Sequence, residues 1–161
     1  SWEREICNFL GTKLGGNFMR VPNSGAYIGA KNVHRKSKMS DTQIASAKGD
    51  IIPPDNLKKM NIEAKNYSDI AFHQLINGEC KKLDTWIQQT EVVAENDDIS
   101  FTIFKITRKG SWIVFSYDLY TNFNLDSYVL YKNSEGKKYI IADYVKFIND
   151  NADIIKKICA T

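Results

Sequence analysis

The sequence predicts an α/β fold in which helices pack against one mixed β-sheet. Three observations predict it. Apolar residues recur at helical spacing at the start, middle and end of the chain. Short runs between them alternate and are rich in Phe, Ile, Thr and Tyr, as strands are. A compact stretch at 49–65 reads as strand, turn, strand. With 161 residues the chain suffices for a single domain, 1–161, with a sizeable core.

Each element follows from local chemistry. Trp2, Ile6, Phe9, Leu10 and Leu14 share one helical face over 2–14, and Gly15-Gly16 ends it. Phe18–Val21 is a short strand, stopped by Pro22 and the turn-forming Asn23-Ser24-Gly25. Residues 26–48 are polar and weakly periodic, which predicts a long mobile loop. After the 49–65 unit, Leu75, Ile76, Cys80, Leu83, Trp86 and Ile87 predict one helix over 69–89. Ser100–Ile106 and Trp112–Tyr117 are strands joined at Lys109-Gly110. Asp126–Tyr131 and Lys138–Ile141 form a second pair across Asn133–Gly136, and a last helix covers about 142–158.

Composition narrows the classes. Aromatics at 12% and charged residues at 25% are ordinary for a globular protein. No apolar run approaches a membrane span, and the leading Ser-Trp-Glu-Arg-Glu is charged where a secretory signal is apolar. Cys7, Cys80 and Cys159 are odd in number and far apart, which predicts reduced core residues of a cytoplasmic protein rather than disulfides or a zinc site. The net charge of +3 is unevenly spread, because Lys31, Arg35, Lys36, Lys38 and Lys48 against Asp41 give residues 31–48 a net +4. Such a segment serves either as a solvated loop or as a basic arm beside a polyanion.

The 49–65 stretch carries the chemistry. Asp50 opens its first strand and Glu63-Ala64-Lys65 closes its second. Strand periodicity puts Glu63 and Lys65 on one face and Ile62 and Ala64 on the other. Two carboxylates and a lysine can thus converge at a sheet edge, a set suited to Mg²⁺ or Mn²⁺ and a polarised water. Asp55 follows Pro53-Pro54 and precedes Asn56, a turn signature, and Asp41 lies in the predicted loop, so neither competes as a metal ligand.

This pattern resembles the PD-(D/E)XK nuclease superfamily, with Asp50 as its first acid, Glu63-Ala64-Lys65 as its second motif, and Gly49 where the family usually has proline. The resemblance implies a restriction-endonuclease-like α/β core and DNA cleavage at a divalent metal held by Asp50, Glu63 and the Ala64 carbonyl. Lys65 would position or deprotonate the attacking water and steady the charge on the phosphate. Over residues 2–90, the early Glu3, Arg20 and Ser24-Gly25 are also similar to the archaeal Holliday-junction resolvase branch, although the spacing from Gly25 to Asp50 is longer here. That similarity implies branched DNA as substrate and a homodimer, because two strands are nicked symmetrically.

Other roles follow from residue type. Glu3 either reaches the metal or only favours its helix dipole. Arg20 and Ser24 are candidate phosphate contacts, as are Arg35, Lys36 and Lys38 in the basic segment. Related nucleases can carry a glutamine after the metal motif, which points to Gln89 in preference to Gln88. Trp86 reads as core, and His34 and His73 as ordinary surface residues. The aromatic-rich 112–131 strands suit either a core or a dimer surface. A compact, Lys-, Asn- and Ile-rich chain would suit a phage enzyme acting in the host cytoplasm. A sequence-specific or nicking endonuclease of the same fold, and a DNA-binding module with a vestigial site, are the alternatives.

Overall fold

The computed structural model describes residues 1–21 and 49–160. Ser24, Arg35, Lys36, Lys38, His34, Asp41 and the expected basic loop at 26–48 lie outside the described residues.

The chain opens with α1 (Trp2–Leu14), whose Ser1 side chain accepts from the Arg4 amide at 3.3 Å. Such a cap satisfies one of the amides that a helix leaves free at its start. Gly15 and Gly16, at φ 78° and 88°, then turn the chain into β1 (Met19–Arg20). Next come β2 (Ile51–Ile52), a 3₁₀ turn at Asp55–Leu57, and β3 (Met60–Tyr67). Two helices follow, α2 (His73–Asn77) and α3 (Lys81–Val92). The rest is β4 (Ile99–Ile106), β5 (Gly110–Ser116), a 3₁₀ turn at Tyr117–Asn122, β6 (Val129–Lys132), β7 (Lys138–Asp143) and α4 (Tyr144–Ile158).

Among the described residues seven strands form one mixed sheet in the order β1-β2-β3-β4-β5-β7-β6. Among these strands only β3 and β4 pair in parallel, in register from Met60↔Ile99 to Tyr67↔Ile106. A parallel pair needs a long crossover, and α2 and α3 supply it. The fold is the α/β, helix-flanked mixed sheet that the sequence predicts, with the layout of a restriction-endonuclease-like core.

Each sheet face has its own apolar cluster. Helices α1 and α4 cover one with Ile6, Leu10, Phe147 and Ile155 against Ile62, Phe101, Ile103 and Ile113. Phe101, Phe115, Phe123 and Phe147 meet there with ring centroids 4.9 to 6.3 Å apart. Helices α2 and α3 cover the other with Leu75, Leu83, Trp86 and Ile87 against Phe104, Ile106, Tyr131 and Ile141. Alternation along β3 therefore sends Ile62 and Ala64 toward α1 and leaves Asn61, Glu63, Lys65 and Tyr67 on the α3 side.

Several boundaries differ from the sequence reading. The helix predicted over 69–89 is two helices, because Gly78 adopts φ 71°, ψ 25° and caps α2. A Cβ there would stand 2.8 Å from the Lys132 carbonyl, so the chain can pass β6 only with glycine at this point. Strand β3 runs past Lys65 to Tyr67, while Asp50 sits in a bend just before β2. The predicted Asp126–Tyr131 strand begins only at Val129. Helix α4 starts at Tyr144, not Ala142, since Asp143 caps it by accepting from the Lys146 amide at 2.8 Å. All three cysteines are free, with Cys80 and Cys159 buried and Cys7 half-buried. Trp86 is core, and Asp55 lies in its turn, as read from sequence.

Gly78→Ala combines a left-handed backbone with a steric clash. It should destabilise the fold by about 1–3 kcal/mol, read from chemical denaturation. A cost indistinguishable from zero would mean that the α2–α3 break does not depend on glycine.

Candidate metal and phosphate site

Asp50 is joined to β3 twice. Its amide donates to the Ile62 carbonyl at 3.0 Å, and its Oδ2 accepts from the Ala64 amide at 2.9 Å. The carboxylate thus takes the place that a backbone carbonyl would fill if β2 extended further. A residue in a strand turns its N–H and C=O to the same neighbour, so the Ala64 carbonyl also faces the Asp50 side.

Gly49 makes this approach possible. A Cβ at position 49 would lie 2.3 Å from the Ile62 carbonyl oxygen and 3.2 Å from Asn61 Oδ1. The first neighbour is backbone and cannot yield cheaply. Glycine at the position before the acid is therefore a steric requirement of the bend, which the sequence reading did not detect.

Glu63 and Lys65 lie on one face of β3, as predicted. Lys65 Nζ stands 3.7 Å from Glu63 Oε1, and the two side chains are only 22% and 15% exposed. The Glu63 carboxyl is pushed up to about 7. Burial is the largest cause, followed by the charge of Asp50 and a hydrogen bond to it, with Lys65 pulling the other way. Two carboxyls that disfavour each other's ionisation, beside the Ala64 carbonyl, fit a hard divalent cation, which relieves their repulsion.

Asn61 underlies this face. It is buried, and its amide donates to the Thr90 carbonyl on α3 at 2.7 Å and to Ser100 Oγ on β4 at 3.0 Å. Thr90 Oγ1 in turn meets Thr102 Oγ1 at 2.6 Å. These contacts fix α3 over the strand that bears Glu63. Asn61 sits two residues before Glu63 on the same face, a signal that strand periodicity offered.

Arg20 lies beside the bend, since it pairs with Ile51 across the β1–β2 ladder and the next amide, Val21, donates to the Asp50 carbonyl at 2.8 Å. Its guanidinium donates to Ser1 Oγ at 3.3 Å. Glu3 is half-buried on α1, and both Glu3 and Arg20 act on Cys7, whose thiol burial pushes up to about 11. Glu3 thus belongs to a group with Arg20 and Cys7. Among the described residues no three Asp, Glu, His or Cys side chains converge as a metal set, so Asp50 and Glu63 are not joined there by Glu3. Gln88 and Gln89 are exposed on α3, and the structure shows no hydrogen bond from Gln89 to either acid. His73 is exposed on α2.

The acids stand at an edge rather than inside a cavity. A cavity of about 370 Å³ between α3, β4 and β5 is lined by Thr90, Glu91, Ser100, Thr102 and Tyr139, and by neither Asp50 nor Glu63.

Residues 1–157 match the family model described as "Phage putative PDDEXK endonuclease". No curated protein and no solved structure matches the chain.

Two outcomes are expected of the metal-free protein. Below the ordinary glutamate value of 4.5 both folded and unfolded chains hold the Glu63 proton. Between 4.5 and about 7 the unfolded chain releases a proton that the folded chain keeps, so stability falls as pH rises and levels off above 7. Melting temperatures in EDTA should decline across that window, and Glu63→Gln should flatten the decline. An identical pH slope in Glu63→Gln contradicts this. In Gly49→Ala the bend should shift Asp50 away, and Glu63 should titrate part of the way back toward its ordinary value in carboxyl-carbon NMR. An unchanged titration would mean that the bend tolerates a side chain.

Proposed function

The chain belongs to this phage PDDEXK endonuclease family, and from that premise we propose that it is a metal-dependent endodeoxyribonuclease whose centre is Asp50, Glu63 and Lys65. The observation that carries the reading is the Asp50–Glu63 pair, held by the Ala64 amide at one carboxylate and by Lys65 at the other. Asp50, Glu63 and the Ala64 carbonyl would hold Mg²⁺ or Mn²⁺. A bound ion supplies Lewis acidity, polarising the phosphate and making a water more acidic. Asp50 and Glu63 must both be ionised to bind it, so protons compete with the metal below about pH 7.

Lys65 works from the same face. Its ammonium lies beside Glu63 and can meet the charge that develops on the phosphate oxygens as the bond breaks. It can also orient the attacking water in line with the leaving oxygen. Arg20, paired with Ile51 beside Asp50, would bind a phosphate of the same strand. Glu3 and Gln89 would approach the substrate from α1 and α3. Ser24, Arg35, Lys36 and Lys38 complete this reading as phosphate contacts.

Branched DNA, such as a four-way junction, is the substrate proposed, on the similarity of Glu3, Arg20 and Ser24-Gly25 to the junction-resolvase pattern. Two copies of a single-domain chain would then nick the two strands of one junction symmetrically.

Asp50→Ala and Glu63→Ala should abolish Mg²⁺-dependent cleavage with the fold intact, and DNA binding should persist in Ca²⁺. Lys65→Ala should slow cleavage by roughly 10²-fold, the scale of one preorganised electrostatic contact, with little loss of DNA affinity. Linear, flapped and four-way DNA assayed side by side tests the substrate. Cleavage at wild-type rate by either acid variant would overturn the site, and equal rates on all three DNAs would overturn the junction preference.

A further inference from the structure

Strand β3 runs beyond its partner. Its last pair with β2 is Ile51↔Ile62, yet it continues to Tyr67. Glu63, Lys65 and Tyr67 follow one another at period two on the face toward α3. Helix α3 runs alongside this row, with Thr90 against Asn61 at one end and Lys82 and Trp86 against Tyr67 at the other.

At that far end the structure holds a cation in place. Lys82 Nζ lies 4.0 Å from the centroid of the Tyr67 ring, a cation–π geometry. The ring is itself braced by Trp86 at 5.1 Å, which packs on Phe104 at 5.3 Å, the strand neighbour of Lys65. The Tyr67 residue is nevertheless 41% exposed, and Lys82 is exposed too. Asp69, an acid within electrostatic reach of Lys82, is already bonded to Lys109 at 2.9 Å. A solvated lysine is ordinarily free to sweep a wide volume. This one is laid on a braced ring, on the row that carries the two site residues.

We infer that Lys82, held over Tyr67, is a phosphate contact for the DNA strand that crosses the site, and that the strand runs along β3 from Glu63 toward Tyr67. The inference rests on the nuclease reading and adds the direction of the bound strand to it. Four residue steps along the strand lead from Glu63 to Tyr67, about 13 Å. At ~3.4 Å of duplex axis per nucleotide, Lys82 meets a phosphate a few nucleotides from the reacting one. Tyr67 acts as a positioning residue, keeping the ammonium at the strand rather than contacting the reacting atoms.

The test is DNA affinity by fluorescence anisotropy in Ca²⁺, over a series of salt concentrations, with 20-base-pair duplex as probe. Lys82→Ala should weaken binding several-fold at low salt and flatten the log-affinity against log-salt slope by about 0.9, the loss of one phosphate contact. Tyr67→Ala should weaken binding in the same direction, whereas Tyr67→Phe, which keeps the ring, should bind as the unsubstituted protein does. Lys156→Ala, on α4 and paired with Asp153 at 3.2 Å, serves as the charge control and should leave the slope unchanged. An unchanged slope in Lys82→Ala, or an equal change in Lys156→Ala, overturns the inference while leaving the nuclease reading intact. No binding by the unsubstituted protein overturns both.

Discussion

The site depends on one contact, the acceptance of the Ala64 amide by Asp50 at 2.9 Å. It ends the β2–β3 ladder with a carboxylate instead of a carbonyl, and so places a negative charge at the point where the sheet edge opens. Glu63, next along β3, then has no choice but to lie beside that charge. Its raised affinity for protons is the direct result, as burial and Asp50 both disfavour ionisation. The protein stores a repulsion that a cation can relieve. Gly49 is the condition for this contact, since a side chain at that position would collide with the Ile62 carbonyl.

The rest of the fold holds that strand in register. The long parallel register of β3 and β4 prevents Glu63 and Lys65 from slipping, because a one-residue slip would turn both into the apolar layer under α1. Asn61 ties the same strand to α3 and β4 with two hydrogen bonds. On the other side β2 has two residues, and among the described residues its pairing with β3 is Ile51↔Ile62.

Much of this was legible in the sequence, and the reasons are physical. Period-two alternation sufficed to put Glu63 and Lys65 on one face, and helical spacing sufficed for α1 and α4. The turn chemistry of Pro53-Pro54-Asp55-Asn56 separated Asp55 from the site. What stayed hidden were contacts between elements. The break at Gly78 depends on the Lys132 carbonyl, more than fifty residues away in sequence. Local spacing alone read 69–89 as one helix. The demand for glycine at position 49 comes from a carbonyl on the neighbouring strand. The Lys82–Tyr67 contact joins a helix to a strand, and neither residue carries a motif. Glu3 and Arg20 belong to one sequence pattern, but their shared influence on Cys7 comes from the fold.

The central claim is that Asp50 and Glu63 bind one divalent cation together with the Ala64 carbonyl. Anomalous diffraction from crystals soaked in Mn²⁺ tests it most directly. The account predicts a single strong peak within coordination distance, roughly 2.0–2.2 Å, of both carboxylates and of that carbonyl. A peak that touches only one of the two acids, or manganese bound elsewhere with this edge empty, would contradict it.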